Sequence, residues 1–363
     1  MPTIGILGAN GQVGSEVCLF LSQMSGVRVI PICRTELSSA FLRQCGLECR
    51  HGTFDSPEAT RNLLADCDLV IDCSLPKGRP SEIRASMTRL ITNGIRFAPS
   101  NARFVYISTV MAFGVGGRDK FWRDHHVSRT IYGATKRYAE RLCFRLGRRV
   151  GREVYILRLG QVHGQLQAAS WGLLHGIRNE VTYVPAGPSW TVFAFTIAEA
   201  LLNIALGKER PGLYTLVSSP QWSWKELHEF YCRRLGVRPQ IVEEECEDTA
   251  RIWLGRVRSL WTRLILNPLL ATLARNREII AGNLLSVFPK LERRTAALYS
   301  RRSAAAQIAE ARSQREYRPY EQALRGNVPG QRLRSLSDSR TSMDHLTSRV
   351  RAILSTVGGT DEL

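Results

Sequence analysis

Tyr132 and Lys136 are the residues whose types and spacing point most directly to chemistry, and they open a helical pattern that runs through Leu146. Residues four apart share one face of a helix, so the phenol and the ammonium group point the same way. A phenol is a poor base at neutral pH. A lysine ammonium group about 4 Å away, at an effective dielectric constant near 20, can stabilise the phenolate form by at most about 4 kcal/mol. The pair fits an acid/base catalyst; the alternative is an ordinary pair on an exposed helix face.

Two hydroxyl side chains, Ser108 and Thr109, end a β-branched and aromatic run at residues 104–109 that predicts a strand. If this strand neighbours the helix that carries Tyr132, either hydroxyl could hydrogen-bond the substrate oxygen on which the phenol acts. Phe113 and Gly114 follow shortly after.

A glycine-rich turn must position a ligand near these groups. Gly8, Gly11 and Gly14 are spaced three apart, after an apolar run at residues 4–7 and before a helical pattern, which predicts a strand, a phosphate-binding loop and a helix. Glycines let a dinucleotide pyrophosphate approach bare N–H groups at the positive end of the helix. The alternative is an ordinary glycine-rich turn. The loop residues expected to bind the cofactor are Gly8, Asn10, Gly11, Gln12, Val13 and Gly14.

Arg34 stands just past a second predicted strand at residues 27–33. In a dinucleotide fold this position meets the adenosine ribose, where an acid would hold the 2′-hydroxyl and an arginine a 2′-phosphate. We therefore expect NADP(H) as the favoured cofactor, with NAD(H) as the alternative. Cys73 and Ser74, at the end of a strand predicted at residues 68–74, should face the same ligand crevice.

The formal net charge of +18 favours anionic partners such as phosphorylated cofactors, nucleotide sugars or a membrane surface. No compact Lys/Arg block with interleaved aromatic residues is present, so we expect no dedicated nucleic-acid binding. The nine cysteines form no Cys-x-x-Cys pair, which favours reduced, buried thiols over disulfides or a metal site. Nothing resembles a signal peptide, so we expect a cytoplasmic protein.

Taken together, four motifs resemble the extended branch of the short-chain dehydrogenase/reductase superfamily, the NAD-dependent epimerase/dehydratase family that modifies nucleotide sugars. The resemblance covers about residues 3–235. The motifs are the Gly8/Gly11/Gly14 loop, Ile107-Ser108-Thr109 with Phe113-Gly114, the Tyr132/Lys136 pair, and residues 157–164.

The resemblance implies an α/β Rossmann-type, doubly wound parallel sheet with a smaller C-terminal substrate lobe. It implies that Tyr132 is the acid/base, that Lys136 binds the nicotinamide ribose and tunes the tyrosine, and that Thr109 is the hydroxyl partner. The expected activity is an NAD(P)-dependent oxidoreductase or epimerase that moves hydride at a carbon of a nucleotide-activated sugar, as in polysaccharide biosynthesis. The alternative is a catalytically idle NADP-binding sensor or scaffold, against which the intact residue set argues.

Three positions depart from the family pattern. Thr53 stands where an acid usually contacts adenine, and we expect Thr53 among the cofactor-binding residues. Thr196 replaces the acid that usually precedes the Ala-x-Ala helix of the substrate half. Val110 and Met111 stand where sugar 4,6-dehydratases carry an Asp-Glu pair, which argues against dehydration.

We expect a dinucleotide-binding domain at residues 1–165, a substrate lobe interleaved with it at 166–240, a helical extension at 249–312, and a mostly flexible basic tail at 313–363. Between the lobe and the extension, the acidic block at residues 243–248 fits a boundary loop. The spacing of apolar residues at 251–266 predicts an amphipathic helix that packs on its own domain. The alternatives are that this helix docks on an anionic membrane or on a second subunit of a homodimer.

Overall fold

A computed structural model describes residues 1–76, 78, 80–113, 131–187, 189–217 and 222–244, together with Arg349 and Ala352. Its centre is a parallel sheet of seven strands flanked by helices, which confirms the Rossmann-type α/β fold expected from the sequence. The strand order is β10-β6-β5-β4-β1-β2-β3. The strands are β1 Thr3–Leu7, β2 Arg28–Cys33, β3 Arg50–His51, β4 Leu69–Asp72, β5 Arg103–Thr109, β6 Val154–Leu159 and β10 Gly212–Leu216.

The chain reverses its direction of travel across the sheet between β1 and β4. In a doubly wound sheet a ligand crevice opens at this point, outside the carboxyl ends of the strands. Two separate two-stranded parallel pairs complete the strands of the described residues. They are β7 Gln161–His163 with β9 Thr191–Phe193, and β8 Val181–Pro185 with β11 Gln240–Glu244.

Eight α-helices are seen in the described part of the chain, along with 3-10 turns at Leu37–Ser39 and Val110–Phe113. The helices are α1 Gln12–Ser22, α2 Ala40–Gln44, α3 Pro57–Leu64, α4 Pro80–Phe97, α5 Ile131–Val150, α6 Ala168–Gly176, α7 Ala194–Ala205 and α8 Trp224–Leu235.

Both faces of the main sheet are covered by apolar cores. In β4, Leu69 and Ile71 belong to the core that contains residues of α1 and α7, whereas Val70 between them belongs to the core formed with α3, α4 and α5. Because successive side chains of a strand point to opposite faces, a strand covered on both sides needs apolar residues at every position. This explains the continuous apolar runs in the sequence.

Local capping fixes several helix ends. Ser56 accepts a hydrogen bond from the Ala59 amide at 3.1 Å, and Pro57 follows at the first helical position of α3. Ser223 and Glu226 form a capping box at the start of α8, which ends at Gly236 with φ 67°. These ends depend only on short-range sequence signals.

The described residues fall into two compact units. The first contains those within Met1–Gly172 and Ser189–Trp222, with the main sheet, together with Arg349 and Ala352. The second contains those within Leu173–Pro188 and residues 223–244. The boundaries predicted at 165 and 240 remain predictions. Glu243 and Glu244 end β11, so the acidic block begins inside a strand and not in a loop.

Other predictions fall outside the described residues. They concern Gly114, the amphipathic helix at 251–266, the extension at 249–312, and the tail at 313–363 apart from Arg349 and Ala352. Among the helices of the described part, none combines the length and the apolar character needed to cross a membrane.

Candidate active site

The glycine loop between β1 and α1 is closely packed. Gly8 has φ +70°, and a β-carbon there would lie 2.7 Å from the Ser74 Cα atom. The Gly11 amide donates to the Gly8 carbonyl oxygen at 2.9 Å, and a β-carbon on Gly14 would overlap that same oxygen. The loop therefore needs glycine at Gly8 for its conformation and at Gly14 for space.

The start of α1 presents an uncapped helix end. Gly11 occupies the N-cap position without any side-chain hydrogen bond, and Gln12 and Val13 follow in the first turn. The amide groups of a first helical turn have no partners within their own helix and carry partial positive charge. Beside them, the Asn10 amide donates to the Cys33 thiol at the end of β2. This end of α1 fits an anion such as a pyrophosphate.

Arg34 is exposed directly after β2, where the sequence predicts it. The turn that follows is held by Thr35 and Ser38, whose side chains each accept from the other's amide, at 3.2 and 3.1 Å. Thr53 follows β3, and its hydroxyl donates to Asp55, which lowers the pKa of that carboxyl together with Arg89.

Cys73 and Ser74 lie beyond the end of β4, although the sequence predicted a strand through Ser74. Asp72 explains the early end, because its Oδ1 atom accepts from both the Ser74 amide, at 2.9 Å, and the Ser74 hydroxyl, at 2.5 Å. Cys73 donates its amide to Leu7 at 3.0 Å, and burial raises the pKa of its thiol to about 12. Both residues thus adjoin the end of β1 and the glycine loop.

Lys136 and Tyr132 are one turn apart on α5 with different exposure. Tyr132 is 37% exposed, whereas Lys136 is 4% exposed. The Lys136 Nζ atom donates to the Ile107 carbonyl at 2.8 Å and lies 4.7 Å from the Tyr106 ring centroid. Burial lowers the pKa of Lys136, while the neighbouring Asp72 carboxyl raises it. The lysine is therefore fixed against β5, whereas Tyr132 is partly exposed.

Ser108 and Thr109 end β5 as predicted. The buried Ser108 hydroxyl donates to Glu140 on α5 at 2.5 Å. Glu140 also accepts from Arg158 of β6, whose Nε and Nη2 atoms lie 2.8 and 2.5 Å away. Ser108 is therefore part of a buried ion-pair network, and the role of Thr109 as the hydroxyl partner of the substrate oxygen stays a prediction. The sequence did not reveal this ion pair, although Glu140 lies four residues after Lys136 and Arg158 lies within the motif at residues 157–164.

Glu16 is a second residue that the sequence did not reveal. Its buried carboxylate in α1 accepts from the Gln165 amide at 2.7 Å, the Leu166 amide at 3.1 Å and the Gln167 Nε2 atom at 2.7 Å. A β-carbon on Gly164 would overlap it. The helix that begins at the glycine loop is thereby tied to the loop after β7.

The strand ends bring the predicted residues to one edge of the sheet. Gly8, Ser74 and Thr109 follow or end the adjacent strands β1, β4 and β5, and Arg34 follows β2 on the other side of β1. A glycine cradle, an uncapped helix end and a buried lysine suit a nicotinamide dinucleotide. The described residues contain no group of three or more His, Cys, Asp or Glu arranged to hold a metal ion.

Comparison with known proteins agrees with this geometry. The model of the NAD dependent epimerase/dehydratase family matches residues 4–175. Among the curated proteins, none matches the chain.

Solved structures with similar folds cover about two thirds of the chain. The dTDP-glucose 4,6-dehydratase of Bacillus anthracis in complex with NAD has a TM-score of 0.53 at 12% identity, covering 68% of this chain and 86% of that one. The UDP-glucuronic acid 4-epimerase of Bacillus cereus, with UDP-glucuronic acid and NAD, has a TM-score of 0.52 at 16% identity, covering 67% and 86%. RMD of Pseudomonas aeruginosa, complexed with NADPH, has a TM-score of 0.51 at 17% identity, covering 67% and 87%.

At these identities the solved structures support only the fold, whereas the family model is a match at the level of sequence. The match to the NAD dependent epimerase/dehydratase family holds for residues 4–175, and the glycine loop and the parallel sheet in this part of the chain agree with it.

Proposed function

We propose that this protein is a nicotinamide-dependent epimerase or reductase that acts on a nucleotide-activated sugar, with Tyr132 as its acid/base. The observation that carries the proposal is the exposed phenol of Tyr132 one helical turn before the buried ammonium group of Lys136. A module that only binds a cofactor would have no need of a tyrosine one helical turn before this buried lysine.

Each residue has a defined role in this proposal. The first amides of α1 hold the pyrophosphate, and Lys136 binds the nicotinamide ribose. The bound nicotinamide supplies hydride transfer at a sugar carbon. Tyr132 moves the proton of the sugar hydroxyl, and the Lys136 cation stabilises its phenolate form. Thr109 holds the same oxygen by a hydrogen bond.

Cofactor preference follows from Arg34. Its exposed guanidinium can pair with a 2′-phosphate, so we propose NADP(H) as the preferred form. Val110 and Met111 supply no carboxyl group for β-elimination, which favours epimerisation or reduction over dehydration. Homodimerisation and a membrane contact through residues 251–266 stay predictions.

The test is a Tyr132→Phe variant assayed with NADPH or NADH against UDP-, GDP- and dTDP-sugars, following nicotinamide absorbance and sugar products. We expect turnover to fall by about 10²–10⁴-fold, with cofactor affinity nearly unchanged, because only the transferable proton is lost. Tyr138→Phe is the matched control, since Tyr138 lies on the same helix and its hydroxyl meets Thr88 at 3.1 Å. Equal turnover in Tyr132→Phe and the control would refute the assignment.

A further inference from the structure

The Asp72 side chain is a buried carboxyl group for which the roles above give no function. It is 1% exposed at the carboxyl end of β4. Its Oδ1 atom accepts two hydrogen bonds from Ser74, but its Oδ2 atom is buried without a hydrogen-bond partner among the described residues. Buried polar atoms without partners are rare in proteins and call for a physical reason.

Lys136 lies on the same side of the sheet as this carboxyl. Asp72 is in register with Tyr106 of the adjacent parallel strand β5, so both side chains project from one face. The Lys136 Nζ atom lies 4.7 Å from the centroid of that Tyr106 ring. The two buried charges interact: Asp72 raises the pKa of Lys136, which burial lowers, and Lys136 lowers the pKa of Asp72, which burial raises.

The other titratable groups facing Lys136 do not replace Asp72. Cys73 and Cys143 are thiols whose pKa burial raises, so they stay neutral at physiological pH. Tyr106 is likewise a buried phenol with a raised pKa. Glu140 is paired with Arg158 at 2.5 Å. Tyr132 on α5 also belongs to the groups on β4, β5 and α5 that surround the Lys136 ammonium group. Among these groups, Asp72 is the carboxylate that balances the charge of the ammonium group.

We propose that Asp72 is a positioning residue that keeps Lys136 protonated inside the protein and thereby sets how far into alkaline pH the site can bind its cofactor. The Ser74 hydrogen bonds hold the carboxylate, and the backbone of Ser74 packs against Gly8 of the cofactor loop. The same short segment therefore supports both the glycine loop and the lysine. The effect on binding rests on the ribose-binding role proposed for Lys136, whereas the charge pair itself does not.

The charge pair is tested by a double-mutant cycle on thermal unfolding, which needs neither cofactor nor substrate. Lys136→Met leaves a buried carboxylate without its cation, so this variant should melt below the wild type. Adding Asp72→Asn removes the unbalanced charge, so the double variant should melt above Lys136→Met. Melting shifts of the two single variants that simply add would overturn the charge pair.

The effect on the site is tested by NADPH fluorescence titrations from neutral to alkaline pH. As the pH rises, the NADPH affinity of Asp72→Asn should begin to fall at a lower pH than that of the wild type. Once Lys136 is neutral, the affinity should be about 10-fold or more weaker, because the charge-assisted contact of Lys136 with the cofactor is lost. Asp68→Asn is the matched control: it lies just before β4 at the opposite end, and its Oδ2 atom accepts from the Thr3 amide at 2.8 Å.

The two experiments separate the possible failures. Parallel pH profiles for the wild type, Asp72→Asn and Asp68→Asn would refute the positioning role. Failure of the wild type to bind NADPH or NADH at any pH would refute the proposed function, and the melting cycle would still decide whether Asp72 and Lys136 form a charge pair.

Discussion

Glu199 on α7 gives a stability prediction whose size depends on pH. Glu199 is only 9% exposed, and burial raises the pKa of its carboxyl group from 4.5 to about 7. A carboxyl whose pKa is higher in the folded state than in the unfolded chain binds protons more tightly when folded. Its contribution to stability is therefore complete below about pH 4.5 and is lost as the pH rises through about 7.

The structure sets the magnitude. At about 1.36 kcal/mol per pH unit, a pKa raised from 4.5 to about 7 corresponds to about 3 kcal/mol of lost folding free energy above neutrality. Glu199→Gln removes the ionisation while keeping the shape of the side chain. We expect the free energy of unfolding of the variant to exceed that of the wild type by about 3 kcal/mol at about pH 8. At about pH 4.5 the two free energies should be nearly equal. For 363 residues, at about 2.1 cal/mol/K of unfolding entropy per residue, the gain corresponds to about 4 °C in Tm.

The assay is urea unfolding followed by intrinsic fluorescence at both pH values, with calorimetry for Tm. Glu226→Gln is a control of opposite sign, because hydrogen bonds from the Ser223 amide and hydroxyl lower the pKa of Glu226. That variant should lose more stability at neutral pH than at acid pH. If Glu199→Gln gave the same change at both pH values, desolvation of Glu199 would not be the cause.

Three further predictions follow from the site. Glu140→Gln leaves the Arg158 guanidinium, 2% exposed, without its charge partner, so calorimetry should show about 3–5 kcal/mol of destabilisation; a loss below about 1 kcal/mol would contradict this. Gly14→Ala places a methyl group on the Gly8 carbonyl, so NADPH titration should show binding weakened by about 10-fold or more in a protein that still folds. Arg34→Ala should weaken NADPH by about 10- to 150-fold with little change for NADH, and an equal loss for both would show that Arg34 does not contact the 2′-phosphate.

Short-range signals in the sequence were sufficient for the fold class and for several local elements that carry the predicted site residues. The Gly8, Gly11 and Gly14 spacing after an apolar run predicts a strand-loop-helix unit, and the structure confirms it. Ser56 before Pro57 predicts the start of α3. The four-residue spacing of Tyr132 and Lys136 places both on one face of α5. In each case the interacting groups are close along the chain, so local geometry determines the result.

The tertiary structure alone decided which charges meet in the interior. Arg158 meets Glu140 from 18 residues away, and Glu16 binds Gln165 from 149 residues away. The sequence predicts only that Asp72 belongs to a strand. The register of β4 with β5 places it on the side of the sheet where Lys136 lies. Such pairings depend on strand order and packing, which link distant residues, whereas hydrophobic periodicity and capping act within a few residues.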